Sequence, residues 1–97
     1  MMLTVPAFNR NDLKNLFTKT QAYGQLVNQY KTVIIPLAQQ NLEVSKAGYE
    51  SDKTGFLELI DSQRTLLNLQ IEYYQYLADY EKYLSEMERI IGAEIKQ

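Results

Sequence analysis

The sequence predicts an all-α protein, a long antiparallel helical hairpin of the coiled-coil type. The chain has 97 residues, 45% hydrophobic and 23% charged, which is the composition of one folded unit rather than of a disordered segment. Four Gly and two Pro are too few for the frequent turns of a β-sandwich or barrel. Two stretches keep apolar residues at helical spacing, and one short polar segment separates them.

The residue types that are missing narrow the function classes. The sequence contains no Cys and no His, so it offers no thiolate ligand and no imidazole base. We therefore predict that the protein is not an enzyme and has no cofactor and no metal site. A net charge of −2 with scattered Lys and Arg gives no basic field for nucleic acid. The longest aliphatic run, residues 33–35, is far shorter than the roughly 20 residues of a membrane-spanning helix.

The first arm is predicted as one helix over about residues 11–47, after a loosely ordered lead-in at residues 1–10. The lead-in lacks the charged start and long apolar stretch of a secretory signal. The apolar positions of the helix recur every three or four residues, at Leu13, Leu16, Tyr23, Val27, Tyr30, Ile34, Leu37 and Val44. Pro36 lies inside this pattern and lacks a backbone N–H, so we expect a kink near Thr32 and Val33.

The second arm is predicted as a helix over about residues 56–92, following a tip turn at residues 48–55. Two glycines and short polar residues interrupt the pattern in the turn, and Gly92 is the expected helix stop. With Phe56 at heptad position a, the a and d positions are Phe56, Leu59, Gln63, Leu66, Gln70, Tyr73, Leu77, Tyr80, Leu84, Met87 and Ile91. The c and f positions form a polar stripe of Glu58, Asp61, Thr65, Asn68, Glu72, Gln75, Asp79, Lys82, Glu86 and Arg89.

The apolar face of this second helix is wider than a two-stranded coiled coil requires. Further apolar residues fall at the flanking e and g positions, so the helix is expected to touch two or more neighbours. Other helices must complete the burial, from a second copy of the chain or from a larger protein of which this segment is a part. The tyrosines between residues 73 and 83 are expected to pack between helices rather than to stack on nucleic acid, because no basic groove accompanies them.

Three stretches carry a family signature: residues 35–49 (IPLAQQNLEVSKAGY), residues 56–67 (FLELIDSQRTLL) and residues 87–92 (MERIIG). They resemble the outer membrane efflux protein family, whose best-known member is TolC. The resemblance covers about residues 11–92, and it is closest to the branch that serves heavy-metal efflux pumps. It implies the last long helical pair in the periplasmic tunnel of a trimeric outer membrane channel of a Gram-negative bacterium. The β-barrel strands, the channel's contact with the membrane, would lie outside this chain.

The resemblance also implies partners and roles for individual residues. The tip would meet the periplasmic adaptor protein of a tripartite pump, which includes an inner membrane component and exports small molecules or metal ions. The implied tip contacts are Tyr49, Ser51, Asp52, Lys53, Thr54 and Gly55. The implied lumen residues at the constriction are Tyr49, Glu58 and Asp61. Carboxylates three residues apart share a helix face, and three copies would form rings that favour cations.

The sequence departs from the family at two tip positions. Asp52 stands where Gly is usual, so the turn geometry or its adaptor contact is expected to differ, although Asp tolerates the left-handed conformation better than most residues. Thr54 stands where TolC has an arginine that bonds the tip tyrosine, so that lock is expected to be absent or built differently.

Other interpretations of the same residues stay open. Without the family, Glu58 and Asp61 read as a solvated helix face. A glycosidase pair is disfavoured because a continuous helix has no cleft. A metal site that included Glu72 would be weak, since it would have only carboxylate ligands. The alternative function is a stand-alone cytoplasmic coiled-coil module that dimerises into a four-helix bundle. Either protein is expected to self-associate, because a lone hairpin leaves its apolar stripe exposed.

Overall fold

The computed structural model describes residues 10–95 and confirms an all-α hairpin. Helix α1 spans Arg10–Gln29, a π-helical turn spans Tyr30–Ile34, α2 spans Ile35–Glu50 and α3 spans Phe56–Ile95. Residues 10–95 contain no strand, and the hairpin measures 72 × 20 × 18 Å. The predicted lead-in, apart from Arg10, lies outside the described residues.

The first arm changes its hydrogen-bonding pattern immediately before Pro36. The N–H of Ile35 donates to the carbonyl of Tyr30, five residues earlier, so the segment Tyr30–Ile34 is a π turn. Pro36 occupies the first turn of α2, where its missing N–H is best tolerated. The irregularity that the sequence predicts near Thr32 and Val33 is therefore one extra residue inserted into the helix.

The inserted residue changes which positions face α3 in the second half of the arm. Before the π turn, the seam follows the predicted spacing, with Leu13, Leu16, Tyr23, Val27 and Tyr30 half-buried and Thr20 buried. After it, the half-buried positions are Ile35, Ala38, Leu42, Ser45 and Gly48. The prediction that Leu37 and Val44 face inward is wrong, because they are 63% and 65% exposed. Each extra residue in a helix rotates everything that follows by about 100°.

The seam of α3 uses the predicted d positions, but it pairs them with the g positions instead of the predicted a positions. The half-buried residues that recur at heptad spacing are Leu59, Ser62, Leu66, Leu69, Tyr73, Tyr76, Tyr80, Tyr83, Met87 and Ile90. These are the predicted d positions together with g. Of the predicted a positions, Gln70 and Leu77 are half-buried, whereas Phe56, Gln63, Leu84 and Ile91 are exposed. The g register places Tyr76 and Tyr83 against the first arm, which removes Gln63 from a dry seam.

Tyrosines alternate between the two arms along one side of the hairpin. The ring of Tyr76 meets Tyr30 at a centroid distance of 5.3 Å and Tyr23 at 6.1 Å, and Tyr23 meets Tyr83 at 5.2 Å. All three contacts are edge-to-face, the favourable arrangement for aromatic rings. The ammonium of Lys19 lies 4.8 Å from the centre of the Tyr83 ring. We call these four tyrosines the tyrosine ladder.

Both helix ends near the predicted boundaries run further than expected. Helix α2 continues through Gly48 to Glu50, and α3 continues through Gly92 to Ile95. A glycine that stops a helix adopts a positive φ, and no described glycine does so. Gly92 is therefore an ordinary helical residue rather than the predicted stop.

Two helices alone leave this chain without a dry core. Within residues 11–93, whose side chains are described, no hydrophobic residue is buried, and Thr20, at 6% exposure, is the only buried residue. The large exposed apolar side chains include Val33, Leu57 and Tyr74. The interior of the hairpin is a single seam between two helices, and the remaining apolar faces are open to solvent.

Candidate functional site

The tip turn ends α2 with a Schellman motif built around Asp52. The N–H of Lys53 donates to the carbonyl of Gly48 at 2.7 Å, and the N–H of Asp52 donates to that of Tyr49 at 3.1 Å. These are the two bonds that define the motif, and they require a left-handed residue after the helix cap Ser51. Asp52 supplies it, with φ of 62°. The chain therefore makes a glycine-type turn with a carboxylate at its apex.

Gly48 is held against Thr54 across the turn. The N–H of Thr54 donates to the Gly48 carbonyl at 2.9 Å. A Cβ atom at position 48 would lie 3.0 Å from the Cβ of Thr54 and would collide with its hydroxyl. Because only glycine leaves room for this contact, Gly48 closes the tip. The sequence predicts that Gly48 lies in the turn, but it does not predict this contact with Thr54.

The remaining predicted tip residues lie at the surface. Ser51, Asp52, Lys53 and Gly55 are exposed, and Thr54 is half-buried against Gly48. The Ser51 hydroxyl lies 3.0 Å from the carbonyl of Ala47 and 3.2 Å from that of Gly48, and it donates to them. Gly55 begins α3 by accepting a bond from the N–H of Leu59 at 3.2 Å. The turn is thus fixed by backbone bonds, while its outer side chains stay free to contact another molecule.

Tyr49 forms an aromatic pair with Phe56 beside the turn. Their ring centroids are 5.9 Å apart and the rings are inclined by 55°. Both side chains are substantially exposed, Tyr49 at 43% and Phe56 at 57%, and the neighbouring Leu57 is 78% exposed. The heptad pattern of the sequence predicts an inward position for Phe56, and the structure places it at the surface instead. The position of Phe56 in the sequence could have indicated this exposure. It directly follows Gly55 and is the first residue of α3.

The predicted lumen residues share the polar stripe of α3. Glu58 and Asp61 are both exposed, and neither forms a hydrogen bond or ion pair with any described residue. They lie one helical turn apart on the same face. Residues 10–95 contain no group of three or more acidic side chains placed to hold a metal ion. The two carboxylates therefore act as separate, solvated charges in this chain.

A hydrogen bond joins the π turn of the first arm to the polar stripe of α3. The hydroxyl of Tyr30 donates to Oε1 of Glu72 at 3.0 Å. Partial burial and this neighbouring carboxylate raise the pKa of the Tyr30 hydroxyl to about 12. The bond fixes the first residue of the π turn to α3 at one end of the tyrosine ladder.

No helix in the described range has an apolar stretch long enough to cross a membrane.

Comparison with known proteins relates the chain to a metal resistance protein. It is similar to the cobalt-zinc-cadmium resistance protein CzcC of Cupriavidus metallidurans, with 31% identity over 78 residues. The similar region is 80% of this chain and 18% of CzcC, so the chain spans about a fifth of the length of its curated relative. No family model matches the chain, and no solved structure does.

Proposed function

We propose that the chain is the periplasmic helical hairpin of an outer membrane efflux channel that takes part in resistance to divalent metal ions. The observation that carries this proposal is the similarity to CzcC, which extends over 80% of the chain. The fold supports it, because a hairpin with open apolar faces on both arms is suited to be one part of a larger helical wall. In this role the chain is a structural element of a trimeric channel and catalyses no reaction.

The tip is the proposed contact with a periplasmic adaptor protein, which links the channel to an inner membrane pump. Its backbone is rigid, with the carbonyl of Gly48 accepting two N–H bonds. The charged side chains of Asp52 and Lys53 are exposed at its apex, beside the exposed pair of Tyr49 and Phe56. A fixed turn with an apolar pair and a charged rim matches the usual composition of a protein interface.

The polar stripe of α3 is proposed to face the lumen. Three copies of Glu58 and of Asp61 would form two rings of carboxylates, which favour cations over anions. This is the charge preference that a conduit for divalent metal ions requires. The preference does not select one metal ion over another.

The test uses the protein that carries this chain, expressed in a Gram-negative host with its pump. We expect the charge reversal Lys53→Glu to lower resistance to cobalt, zinc and cadmium while the amount of channel in the outer membrane stays the same. The matched control is Lys14→Glu, the same reversal at an exposed site at the opposite end of the hairpin. Equal resistance in both variants would refute the adaptor contact. A protein found in the cytoplasm as a four-helix dimer would refute the channel altogether.

A further inference from the structure

The second half of the first arm packs in a register that its sequence pattern does not predict. Ser45 Oγ lies 2.8 Å from Ser62 Oγ across the seam, so Ser45 faces α3 directly. Ala38, seven residues and about two helical turns earlier, is half-buried on the same side of the helix. The small residues Ala38 and Ser45 thus occupy positions next to α3 where larger side chains would bury more apolar area.

The same segment contains a second set of apolar residues at seam spacing, each one residue before a member of the observed seam. The spacing that runs through α1 continues without a break to Ile34, Leu37 and Val44. In the observed register Leu37 and Val44 are 63% and 65% exposed. They line an open apolar groove together with Val33 and with Leu69 of α3. The segment therefore carries two sets of residues at seam spacing, and two large apolar residues of the second set, Leu37 and Val44, are exposed.

The π turn is the feature that separates these two registers. It holds one residue more than an α-helical turn, and its Ile35 to Tyr30 bond spans five residues. If the turn became α-helical, α2 would slip by one residue, a translation of about 1.5 Å and a rotation of about 100°. Val44 would then take the place of Ser45 and Leu37 that of Ala38, while the polar Asn41 would take the place of the half-buried Leu42.

Opposing forces act on the two registers. Pro36 lacks an N–H and its ring clashes with the preceding turn of a continuous α-helix, which favours the π turn. The bond between Ser45 and Ser62 also belongs to the observed register. Burial of Leu42 favours the observed register as well, whereas burial of Leu37 and Val44 favours the other register. The hydrogen bond from Tyr30 to Glu72 fixes the arm to α3 at the start of the π turn, so the slip is confined to the segment that follows.

We propose that the π turn is a register switch, through which α2 packs against α3 in either of two registers one residue apart. The slip turns the end of α2 by the same angle, so it redirects Tyr49 and the turn that follows it. The tip geometry is thereby coupled to a point about 30 Å away, near the middle of the first arm. The switch is a property of the hairpin itself and goes beyond the proposed function.

Disulfide trapping in the 97-residue chain tests the switch, because the sequence contains no other cysteine. The pair Ser45→Cys with Ser62→Cys reports the observed register. The pair Val44→Cys with Ser62→Cys reports the slipped one. The matched control is Lys46→Cys with Ser62→Cys, because residue 46 lies as far around the helix from residue 45 as residue 44 does, on the opposite side. Only cross-links within one chain are scored, on non-reducing gels.

We expect the Val44 pair to cross-link faster than the Lys46 pair. Replacing Pro36→Ala removes the main obstacle to the α-helical form, so it should raise the rate of the Val44 pair by about tenfold or more and lower that of the Ser45 pair. A Val44 pair that is no faster than the Lys46 pair, with Pro36 present and with Pro36→Ala, overturns the switch.

A deletion provides an independent measurement. Removing Thr32 takes out the inserted residue, so a continuous α-helix would keep Ser45 opposite Ser62. In the double variant that lacks Thr32 and also carries Pro36→Ala, we expect the Ser45 pair to cross-link at least as fast as in the natural chain. We expect the Val44 pair to lose the gain that Pro36→Ala alone gives it. Circular dichroism checks that each variant stays helical. If the Val44 pair cross-links as fast in this double variant as with Pro36→Ala alone, the gain does not act through the π turn and the proposal fails.

Discussion

Gly48 and Thr54 touch across the hairpin tip so closely that a Cβ atom on Gly48 would lie 3.0 Å from the Cβ of Thr54. The contact joins the last turn of α2 to the residue before Gly55, and the Thr54 N–H bonds the Gly48 carbonyl at 2.9 Å. The geometry of the tip thus depends on the absence of a side chain at one position.

Gly48→Ala is expected to destabilise the tip, because the added methyl group must displace Thr54. The expected loss in the free energy of unfolding is about 1–3 kcal/mol, measured by chemical denaturation at fixed chain concentration. The control is Gly92→Ala, where an added Cβ meets no atom within 4 Å. That change in a helix interior should stabilise by about 0.5–1 kcal/mol. Equal effects of the two substitutions would contradict the tip contact.

Asp52→Ala is expected to be less stable than Asp52→Gly by about 1–2 kcal/mol, because alanine adopts the left-handed conformation poorly. Asp52 has φ of 62°, and Asp52→Gly removes the steric penalty while it keeps the turn. We therefore expect the glycine variant to be at least as stable as the natural chain in thermal unfolding. An alanine variant as stable as the glycine variant would show that the turn is not left-handed.

The bond between Tyr30 and Glu72 is expected to make stability fall at high pH. The pKa of Tyr30 rises from its ordinary 10.0 to about 12 on folding. Its contribution is therefore complete below pH 10 and is lost as pH rises towards 12. The measurement is the melting temperature of the natural chain and of Tyr30→Phe across this range.

The two melting temperatures should converge between pH 10 and 12. Tyr74→Phe is the control, since Tyr74 is 66% exposed and its replacement leaves the bond to Glu72 intact. A constant difference between the natural chain and Tyr30→Phe up to pH 12 would show that ionisation of Tyr30 is not linked to folding.

Glu58→Ala together with Asp61→Ala is expected to lower cation selectivity in single-channel recordings of the full-length protein. The reason is the loss of the two proposed carboxylate rings. The control replaces Glu81 and Glu88, which are exposed at e positions of α3 away from the polar stripe and carry the same charge. If both double variants change the permeability ratio equally, the lumen assignment of the stripe is wrong.

Composition and spacing predict the all-α hairpin, and the two turn glycines predict the place of the tip. The register in which α2 packs against α3 is harder to predict from the sequence. A π turn adds a single residue to the helix and leaves the heptad pattern of the sequence intact. Leu37 and Val44 have the right spacing for the seam, and the structure exposes them. Pro36 signals an irregularity there, but a kink and an insertion have the same sequence signature.

The seam of α3 shows a related limit. A face with apolar residues at a, d, e and g can pack against a partner through the a and d positions or through the d and g positions. The side chains of the partner helix determine which of the two forms. Tyr23 and Tyr30 select the g positions, through ring contacts with Tyr76 and Tyr83. The Schellman turn could be foreseen only in part, since Asp52 takes a conformation that sequence statistics assign first to glycine.

The tyrosine ladder has a consequence for how the hairpin comes apart. Because each rung joins only its neighbours and no described hydrophobic side chain is fully enclosed, the molecule behaves as a nearly one-dimensional chain of local interactions. Amide hydrogens should then exchange in a gradient, fastest at the open end and slower towards the ladder and the bonded tip, rather than in one cooperative event. Such a part can loosen along one stretch of its length while it stays closed along the rest.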